Sequence, residues 1–382
     1  MQMKLIAAAV AGLLSSTAFA QVTIGGRFES GYMFSHTQNA DSPTGGPAGG
    51  LTKESQQDGV GTTTRLVFTA REEISPNIKT GMDIDLRFGN ADEGKTGITS
   101  NDKKLMFLSV KPVTAQFGFG NNVSTAYFIM DKPWVQGMEL DINKNTKLAF
   151  ARVDGGTNRI FNLFTDPDLI SFAGVQVMLK ASYAGGENRK SGLNNDGGES
   201  PSVTTKKSGD LTGAGFEFKM GSLLNGGADT NYKRTNNLAT EDGMNWQQYV
   251  LNVRPIAGLK IGTSYVVEKG YAGASTLAYK DKAFSISAGY TIGQATVSAN
   301  FARLNDFNSG DNTRNSGHQY NVGVQYSLSK QTIIFAGYSK TDFERNTTTA
   351  TGGFKGTAAG FTSGSFAKVD DKVTRIGITK LF

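Results

Sequence analysis

The side chains that most often perform catalysis are scarce in this chain. Its 382 residues include no cysteine and two histidines, His36 and His318. Both histidines stand beside stretches rich in Gly, Asn and Ser, which are typical of loops, so we interpret them as solvated loop residues rather than as general bases. The acidic residues lack the spacing of a calcium loop, and the glycine-rich stretches lack the lysine of a phosphate cradle. The sequence therefore predicts no enzyme, no metal site and no cofactor.

Charged side chains instead recur on one face of short alternating segments. In the first segment, Val22, Ile24, Phe28, Tyr32 and Phe34 share one parity, whereas Thr23, Arg27, Glu29 and Ser35 share the other. Residues 78–88 repeat the pattern. A soluble sandwich also alternates, but it seldom places several charges on one face in strand after strand. A membrane barrel requires this arrangement because lipid meets one face and water in the lumen meets the other.

Alternation predicts about sixteen strands. They are residues 22–35, 61–73, 77–89, 103–110, 115–121, 157–164, 170–184, 211–220, 226–235, 245–254, 259–268, 281–290, 295–304, 319–328, 331–340 and 370–382. Tight turns, such as Asp166-Pro167-Asp168, alternate with long connections. Short periplasmic turns and longer extracellular loops produce this asymmetry in a barrel. We therefore predict an all-β fold, a transmembrane antiparallel β-barrel.

The first twenty residues have the pattern of an export signal. Lys4 precedes an apolar stretch that closes with Ala18-Phe19-Ala20, a small-x-small cleavage pattern. About fifteen apolar residues are too few for a transmembrane helix, which needs roughly twenty. We predict a signal peptide at 1–20 and a mature barrel domain at 21–382. An exported chain without cysteine has no disulfide framework, so its stability must come from backbone pairing and burial.

The charge balance excludes one class of partner. The formal net charge is +6 at pH 7, and Lys4 would leave with the signal. No block of Lys and Arg forms a nucleic-acid footprint. We therefore expect no nucleic acid, and interpret the mild basic excess as channel lining or contact with membrane lipid headgroups.

One connection is too long to be a tight turn between neighbouring strands. Residues 122–151 lie between predicted neighbours and contain the acids Asp131, Glu139 and Asp141. Long ordered loops are usually functional, and a loop folded into the wide lumen of a barrel of about sixteen strands would narrow it. An ordinary surface loop would give the same periodicity, so both interpretations remain open at this stage.

Several blocks carry a resemblance to a known family. They are residues 64–68 with 71–73, 104–110, 152–159 leading into 166–168, 326–332, and the terminal Phe382. In order and spacing these blocks resemble the general diffusion porins of Gram-negative bacteria, over essentially the whole mature chain. The resemblance implies a homotrimeric channel of sixteen strands in the bacterial outer membrane, with its third loop folded inward as a constriction loop.

The resemblance also implies roles for individual residues. Matched block by block, Arg27, Arg65, Lys104 and Arg152 form a basic wall at the constriction, opposed by Asp131, Glu139 and Asp141, and Phe382 is part of the assembly signal. Strand parity agrees for Arg27 and Arg65, but it is silent for Lys104 because both faces around it are apolar. The implied function is passive diffusion of inorganic ions and small hydrophilic solutes.

Two other functions need different features. A substrate-selective outer-membrane channel, for example one for sugars, would show a row of aromatic residues in the lumen, whereas the aromatics here mostly follow the lipid parity. A periplasmic or surface binding protein without a channel would lack the lumen charges.

Overall fold

The structure is a computed structural model that describes residues 21–41, 52–88, 98–120, 130–132, 158–184, 207–237, 240–272, 276–308, 313–345 and 366–382. The predicted signal at 1–20 lies outside the described residues. Among the described residues, no helix is long and apolar enough to cross a membrane.

The described residues form seventeen strands. These are β1 (Gln21–Asp41), β2 (Thr52–Ser75), β3 (Ile78–Phe88), β4 (Ile98–Val110), β5 (Val113–Gly120), β6 (Asn158–Thr165), β7 (Ile170–Phe172), β8 (Val175–Ala184), β9 (Lys207–Met220), β10 (Leu224–Asn237), β11 (Thr240–Val253), β12 (Leu259–Ala272), β13 (Thr276–Ile292), β14 (Ala295–Asn308), β15 (Thr313–Ser329), β16 (Thr332–Arg345) and β17 (Phe366–Leu381).

The strands close into one antiparallel barrel. β1 pairs with β2 on one side and with β17 on the other, and the remaining strands pair in chain order. In hydrocarbon every backbone N–H and C=O must be satisfied within the protein, so a spanning sheet must have no free edge. The barrel has sixteen strand positions because β6 and β7 both pair with β8. The predicted all-β barrel of about sixteen strands is confirmed.

The prediction of a single strand over 170–184 is wrong. β7 and β8 form a hairpin that reverses at Ala173 and Gly174, with φ angles of 49° and 78°. These left-handed values turn the chain sharply. An alternating pattern has the same period in either direction, so alternation alone did not reveal the reversal. The predicted turn at residues 166–168 is present, since the N–H of Leu169 donates to the carbonyl of Asp166 at 3.1 Å. It separates β6 from β7, which both pair with β8.

Short turns gather at one end of the barrel. Tight connections at residues 76–77, 111–112, 173–174, 221–223, 254–258, 293–294 and 330–331 join successive strands. The C-terminus lies at the same end, where the N–H of Leu381 donates to the carbonyl of Gln331 at 2.7 Å. These turns match the predicted periplasmic end of the barrel.

The two faces of the sheet differ as alternation predicted. Large apolar side chains such as Phe28, Tyr249 and Val322 are about half exposed on the outer face. Polar side chains such as Gln248, Ser285 and Gln319 are fully buried on the inner face. This inverted distribution is typical of a barrel whose outer face meets lipid.

Gly26 of β1 lies where the C-terminal residue pairs with the first strand and closes the barrel. The N–H of Gly26 donates to the carbonyl of Phe382 at 2.9 Å, and the N–H of Phe382 donates back at 3.2 Å. A Cβ added at Gly26 would lie 2.4 Å from the carbonyl oxygen of Arg65 and 2.7 Å from Cζ of Phe382. Any larger side chain would therefore push the terminal ring away from the closing strand.

We predict that Gly26→Ala lowers the fraction of folded barrel, measured as the heat-modifiable band on a denaturing gel. Overpacking of this kind typically costs about 1–3 kcal/mol. Gly25→Ala is the matched control, because its Cβ would meet the carbonyl oxygen of Phe382 at an ordinary 3.4 Å. Deletion of Phe382 should act in the same direction as Gly26→Ala if this residue belongs to the assembly signal. Equal folding of the Gly26 and Gly25 variants would contradict the close packing of Phe382 against Gly26.

Candidate functional site

Three arginines lie in one row across the inner wall. Arg27 of β1 is directly opposite Arg65 of β2, which is directly opposite Arg87 of β3. All three have the parity opposite to the outward Phe28 and Leu86. Like charges in direct register repel each other, so this row needs compensating groups nearby.

Part of the compensation comes from a carboxylate on the neighbouring strand. Nε of Arg65 donates to Oδ1 and Oδ2 of Asp85 at 2.6 and 2.8 Å, and Nη2 also donates to Oδ2. Asp85 is buried, whereas the guanidinium of Arg65 is partly exposed. Bidentate pairs of this kind are among the stronger side-chain hydrogen bonds. The described acid that faces Arg65 is thus on β3 and not on the 122–151 loop.

A second ion pair joins β1 and β17 on the same wall. Nη2 of Arg375 lies 2.8 Å from Oε1 of the buried Glu29. The same guanidinium stands 5.6 Å from the centre of the Phe335 ring, a cation–π geometry. The ring sits against Gly377, where an added Cβ would approach it to within 2.4 Å. Sequence reasoning missed Arg375, although its parity opposite to Ile376 and Ile378 was available.

Further cross-strand pairs line the inner face. Arg71 of β2 donates to Asp83 of β3 at 2.6 Å and lies 4.8 Å from the centre of the Phe107 ring. Lys180 of β8 donates to Glu217 of β9. Most of the described inner charges therefore stand beside a charge of the opposite sign.

The described part of the long connection rests against the inner wall. Met130 is buried beside Val250 of β11, and its sulfur lies 3.9 Å from Oγ of Ser285. The backbone N–H of Asp131 donates to Oδ1 of Asn252 at 2.6 Å. Val250, Asn252 and Ser285 all have inward parity, so residues 130–132 lie inside the barrel. Only these three residues of the 122–151 connection are among the described residues, and they lie inward.

A bidentate ion pair fastens this segment. Nε and Nη2 of Arg254 each donate to a carboxylate oxygen of Asp131 at 2.8 Å. The hydrogen bond to Asp131 raises the pKa of Arg254, so the guanidinium stays charged. A Cβ added at Gly262 would lie 2.2 Å from the carbonyl oxygen of Asp131. Arg254, Asn252 and Gly262 together form what we name the loop clasp, and sequence reasoning missed all three.

The structure does not place Lys104 in the lumen. Lys104 is directly opposite Ile84 of β3, and it shares its parity with the exposed Met106 and Leu108. The inward residue at this point is Leu105, which is buried in an apolar cluster with Trp246. The assignment of Lys104 to the basic wall is therefore corrected, because strand register puts it on the outer face. Block matching alone could not detect this, since both faces are apolar here.

The remaining predicted site residues have different outcomes. Arg152, Glu139 and Asp141 lie outside the described residues. His36 and His318 lie in β1 and β15 on the outer parity, so the loop assignment was wrong. Nε2 of His318 is 3.2 Å from Oδ2 of Asp342. Both strands extend further than their apolar alternation indicated.

Comparison with known proteins agrees with this architecture. The model of the Gram-negative porin family matches residues 7–346. No curated protein sequence matches the chain.

Solved structures show the same fold at low sequence identity. The anion-selective porin from Comamonas acidovorans has 15% identity and a TM-score of 0.64, covering 95% of this chain and all of that one. OmpF from Salmonella typhi, in complex with daunomycin, has 10% identity and a TM-score of 0.60, with 95% and 98% covered. The trimer form of OmpT, an outer membrane protein of Vibrio cholerae, has 11% identity and a TM-score of 0.56, with 94% and 99% covered.

We predict that Asp131→Ala releases the inward segment and increases the frequency of brief closures in single-channel recordings. Charge-assisted hydrogen bonds of this kind contribute about 1.5–3 kcal/mol, while the strand ladder is untouched. Arg254→Ala and the double variant should behave as Asp131→Ala does, because both residues serve one contact.

Lys79→Ala provides the control for these recordings. It removes an exposed pair with Glu73, separated by 3.2 Å, and such pairs contribute little. Additive effects of Asp131→Ala and Arg254→Ala, or closures equal to those of Lys79→Ala, would show that the clasp does not fasten the segment.

Proposed function

The chain belongs to the Gram-negative porin family and forms a diffusion channel in the outer membrane, and from this premise we propose that its lumen passes ions and small hydrophilic solutes with a weak preference for anions. The cross-strand ion pairs of β17, β1, β2 and β3 support the proposal. Paired charges order water and orient dipolar solutes without closing the path to small ions.

The preference for anions follows from the balance of charge in this part of the wall. Three arginines, Arg27, Arg65 and Arg375, have inward positions there. Two carboxylates, Asp85 and Glu29, are bound to Arg65 and Arg375. The formal net charge is +6 at pH 7, and Lys4 would leave with the signal. Positive charge on the wall raises the local concentration of anions over about one Debye length, roughly 8 Å at physiological salt.

A substrate-selective channel receives less support. Two inward aromatics of the described wall, Trp246 and Phe335, are almost fully buried. Phe335 is covered by Arg375, so a passing sugar would not stack on it. The exposed aromatics that the structure describes, such as Phe28 and Tyr249, stand on the outer face.

We further propose that the protein is a passive channel and not an enzyme. Both histidines have outward positions on the barrel. A dyad such as His318 and Asp342 on the outer face has no access to solutes in the lumen.

We predict opposite shifts of the reversal potential for the two partners of one pair. Arg65→Gln leaves the carboxylate of Asp85 without its bidentate partner, so the ion preference of the channel should shift towards cations. Asp85→Asn leaves the guanidinium of Arg65 uncompensated and should shift it towards anions. The measurement is the reversal potential in a salt gradient across a planar bilayer, and the shifts should be largest at low salt.

Lys104→Gln is the matched control for this pair. It removes one positive charge from the outer face, so the reversal potential should stay at the wild-type value. Heat modifiability verifies that each variant is folded. Shifts of the same sign for both partners, or none for either, would rule out control of permeation by the pair.

We also propose that the protein is a homotrimer. OmpT of Vibrio cholerae, which has the same fold, has a trimer form. Cross-linking in mild detergent should give a band at three times the monomer mass, which heating converts to monomer. A monomer at every cross-linker concentration would contradict the proposal.

A further inference from the structure

The inner wall formed by β13 to β16 contains a block of four rows without a charged side chain. The block comprises every second residue, starting from the first, of 285–291, 296–302, 319–325 and 335–341. The strand register aligns these positions in rows that cross all four strands. Apart from Ala302 and Phe335, the members are Ser, Thr, Asn, Gln and Gly. We name these positions the neutral block.

The neutral block has distinct neighbours on its two sides. On one side, Ser287 is directly opposite Gly262 of the loop clasp. On the other side, Gly337 is directly opposite Arg375 of β17. The neutral block therefore fills the wall between the loop clasp and the ion pairs of β17 and β1.

The neutral block begins at one mouth of the barrel. At the end with the short turns, Thr291 is exposed, and its hydroxyl oxygen lies 2.9 Å from that of Thr296. Further along the strands, Ser285 and Gln319 are fully buried. A solute that enters at the threonines can thus move along hydroxyl and amide groups into the barrel.

Four buried oxygen atoms of the neutral block have no hydrogen-bond partner among the described residues. They are Oγ of Ser287, Oγ of Ser298, Oδ1 of Asn300 and Oε1 of Gln319, and each of these residues is at most 4% exposed. Asn300 is directly opposite Ser287, and Ser298 is the next inward residue on the same strand as Asn300. Buried polar atoms normally have a partner, because leaving one without a hydrogen bond is costly. These atoms are therefore available to a solute.

The two amides show what such a solute must supply. Nδ2 of Asn300 donates to Oδ1 of Asn321, and Nε2 of Gln319 donates to Oγ of Ser339 at 3.4 Å. These donors are used within the wall, and the oxygen of each amide can only accept a hydrogen bond. Serine hydroxyls both donate and accept. A solute that fits this cluster therefore has several hydrogen-bond donors.

Charge and shape narrow the class of this solute. An anion such as chloride has no donor for the amide oxygens. A cation can donate, but the neutral block has no carboxylate to compensate its charge, and Arg375 at the border repels it. A sugar ring needs an exposed aromatic for its apolar face, whereas Phe335 is covered by Arg375. A linear polyol meets each condition, because it is neutral, has no ring face and has a donor on every oxygen.

We propose that the neutral block is a binding subsite for small neutral polyols that pass through the lumen. Such a subsite rests on the proposed function of the protein as a diffusion channel, and it adds a class of solute. Neighbouring strands are about 4.8 Å apart, so the hydroxyls of one polyol reach acceptors on two strands at once. Hydroxyl and amide groups lose their water at a smaller cost than charged groups do. The polyol therefore binds at the neutral block, while the paired charges of β17 to β3 stay hydrated.

The test is single-channel recording of the full protein in a planar bilayer titrated with sorbitol. A bound polyol interrupts the ion current, so the blocked fraction should saturate with concentration and give a Kd. Triethylene glycol dimethyl ether is the control solute, because it has as many non-hydrogen atoms and accepts hydrogen bonds but cannot donate them. Its effect on the current should not saturate.

Asn300→Leu with Gln319→Met removes both amide oxygens at nearly constant side-chain volume. The Kd for sorbitol should rise about tenfold, since each lost hydrogen bond contributes modestly to affinity. The reversal potential in a salt gradient should stay at the wild-type value, because no charge is changed. The matched control, Asn162→Leu with Gln248→Met, changes two fully buried amides elsewhere on the inner wall and should leave the Kd unchanged.

The possible results distinguish the subsite from the channel itself. A protein without ion current overturns both, whereas a conducting channel without saturable block by sorbitol overturns the subsite alone. Equal block by the two solutes, or an equal rise in Kd in the two double variants, also overturns the subsite. If Asn300→Leu with Gln319→Met is not heat-modifiable, Ser287→Ala with Ser298→Ala replaces it, and a rise in Kd of less than about twofold then overturns the subsite.

Discussion

The satisfaction of backbone hydrogen bonds without water governs this structure. Strands that face hydrocarbon cannot leave N–H or C=O groups unpaired, so the pairing of β1 with both β2 and β17 is a requirement of the environment. The join rests on a small feature, the absence of a side chain at Gly26, which lets Phe382 pair with the first strand. The side-chain contacts across β1 and β17 form only when this pairing makes the two strands neighbours.

Closure gives the two parities of each strand opposite environments. Outward positions contact lipid and are largely apolar, while inward positions contain the charges that a wet lumen tolerates. Like charges on one wall would repel each other. Ion pairs between strands offset this repulsion, such as Arg65 with Asp85 and Glu29 with Arg375. A pair keeps both charges at the wall and orients them, whereas a lone buried carboxylate would be costly. The electrostatic character of the channel is thus a property of neighbouring strands.

The inward segment depends on a second and separate interaction. Asp131 and Arg254 are 123 positions apart in the chain, yet a bidentate ion pair joins them, and the bare backbone at Gly262 makes room for it. This clasp lies on β11 and β12, away from the arginine row of β1 to β3 in the order of strands. The described loop acid therefore serves to fasten the segment, and the carboxylate that compensates Arg65 comes from β3.

The sequence by itself determined the all-β class, the approximate number of strands and the two faces, because alternation records whether a side chain meets lipid or water. It also determined that Arg27 and Arg65 face inward, since their neighbours Phe28 and Leu66 are unambiguously apolar. It could not place Lys104, around which both parities are apolar, or detect the reversal at Ala173 and Gly174, since a period of two has no direction. Only the tertiary structure decided which charges are partners. Partnership depends on the register between strands and, for Asp131 and Arg254, on a contact between distant parts of the chain, and neither leaves a local pattern in the sequence.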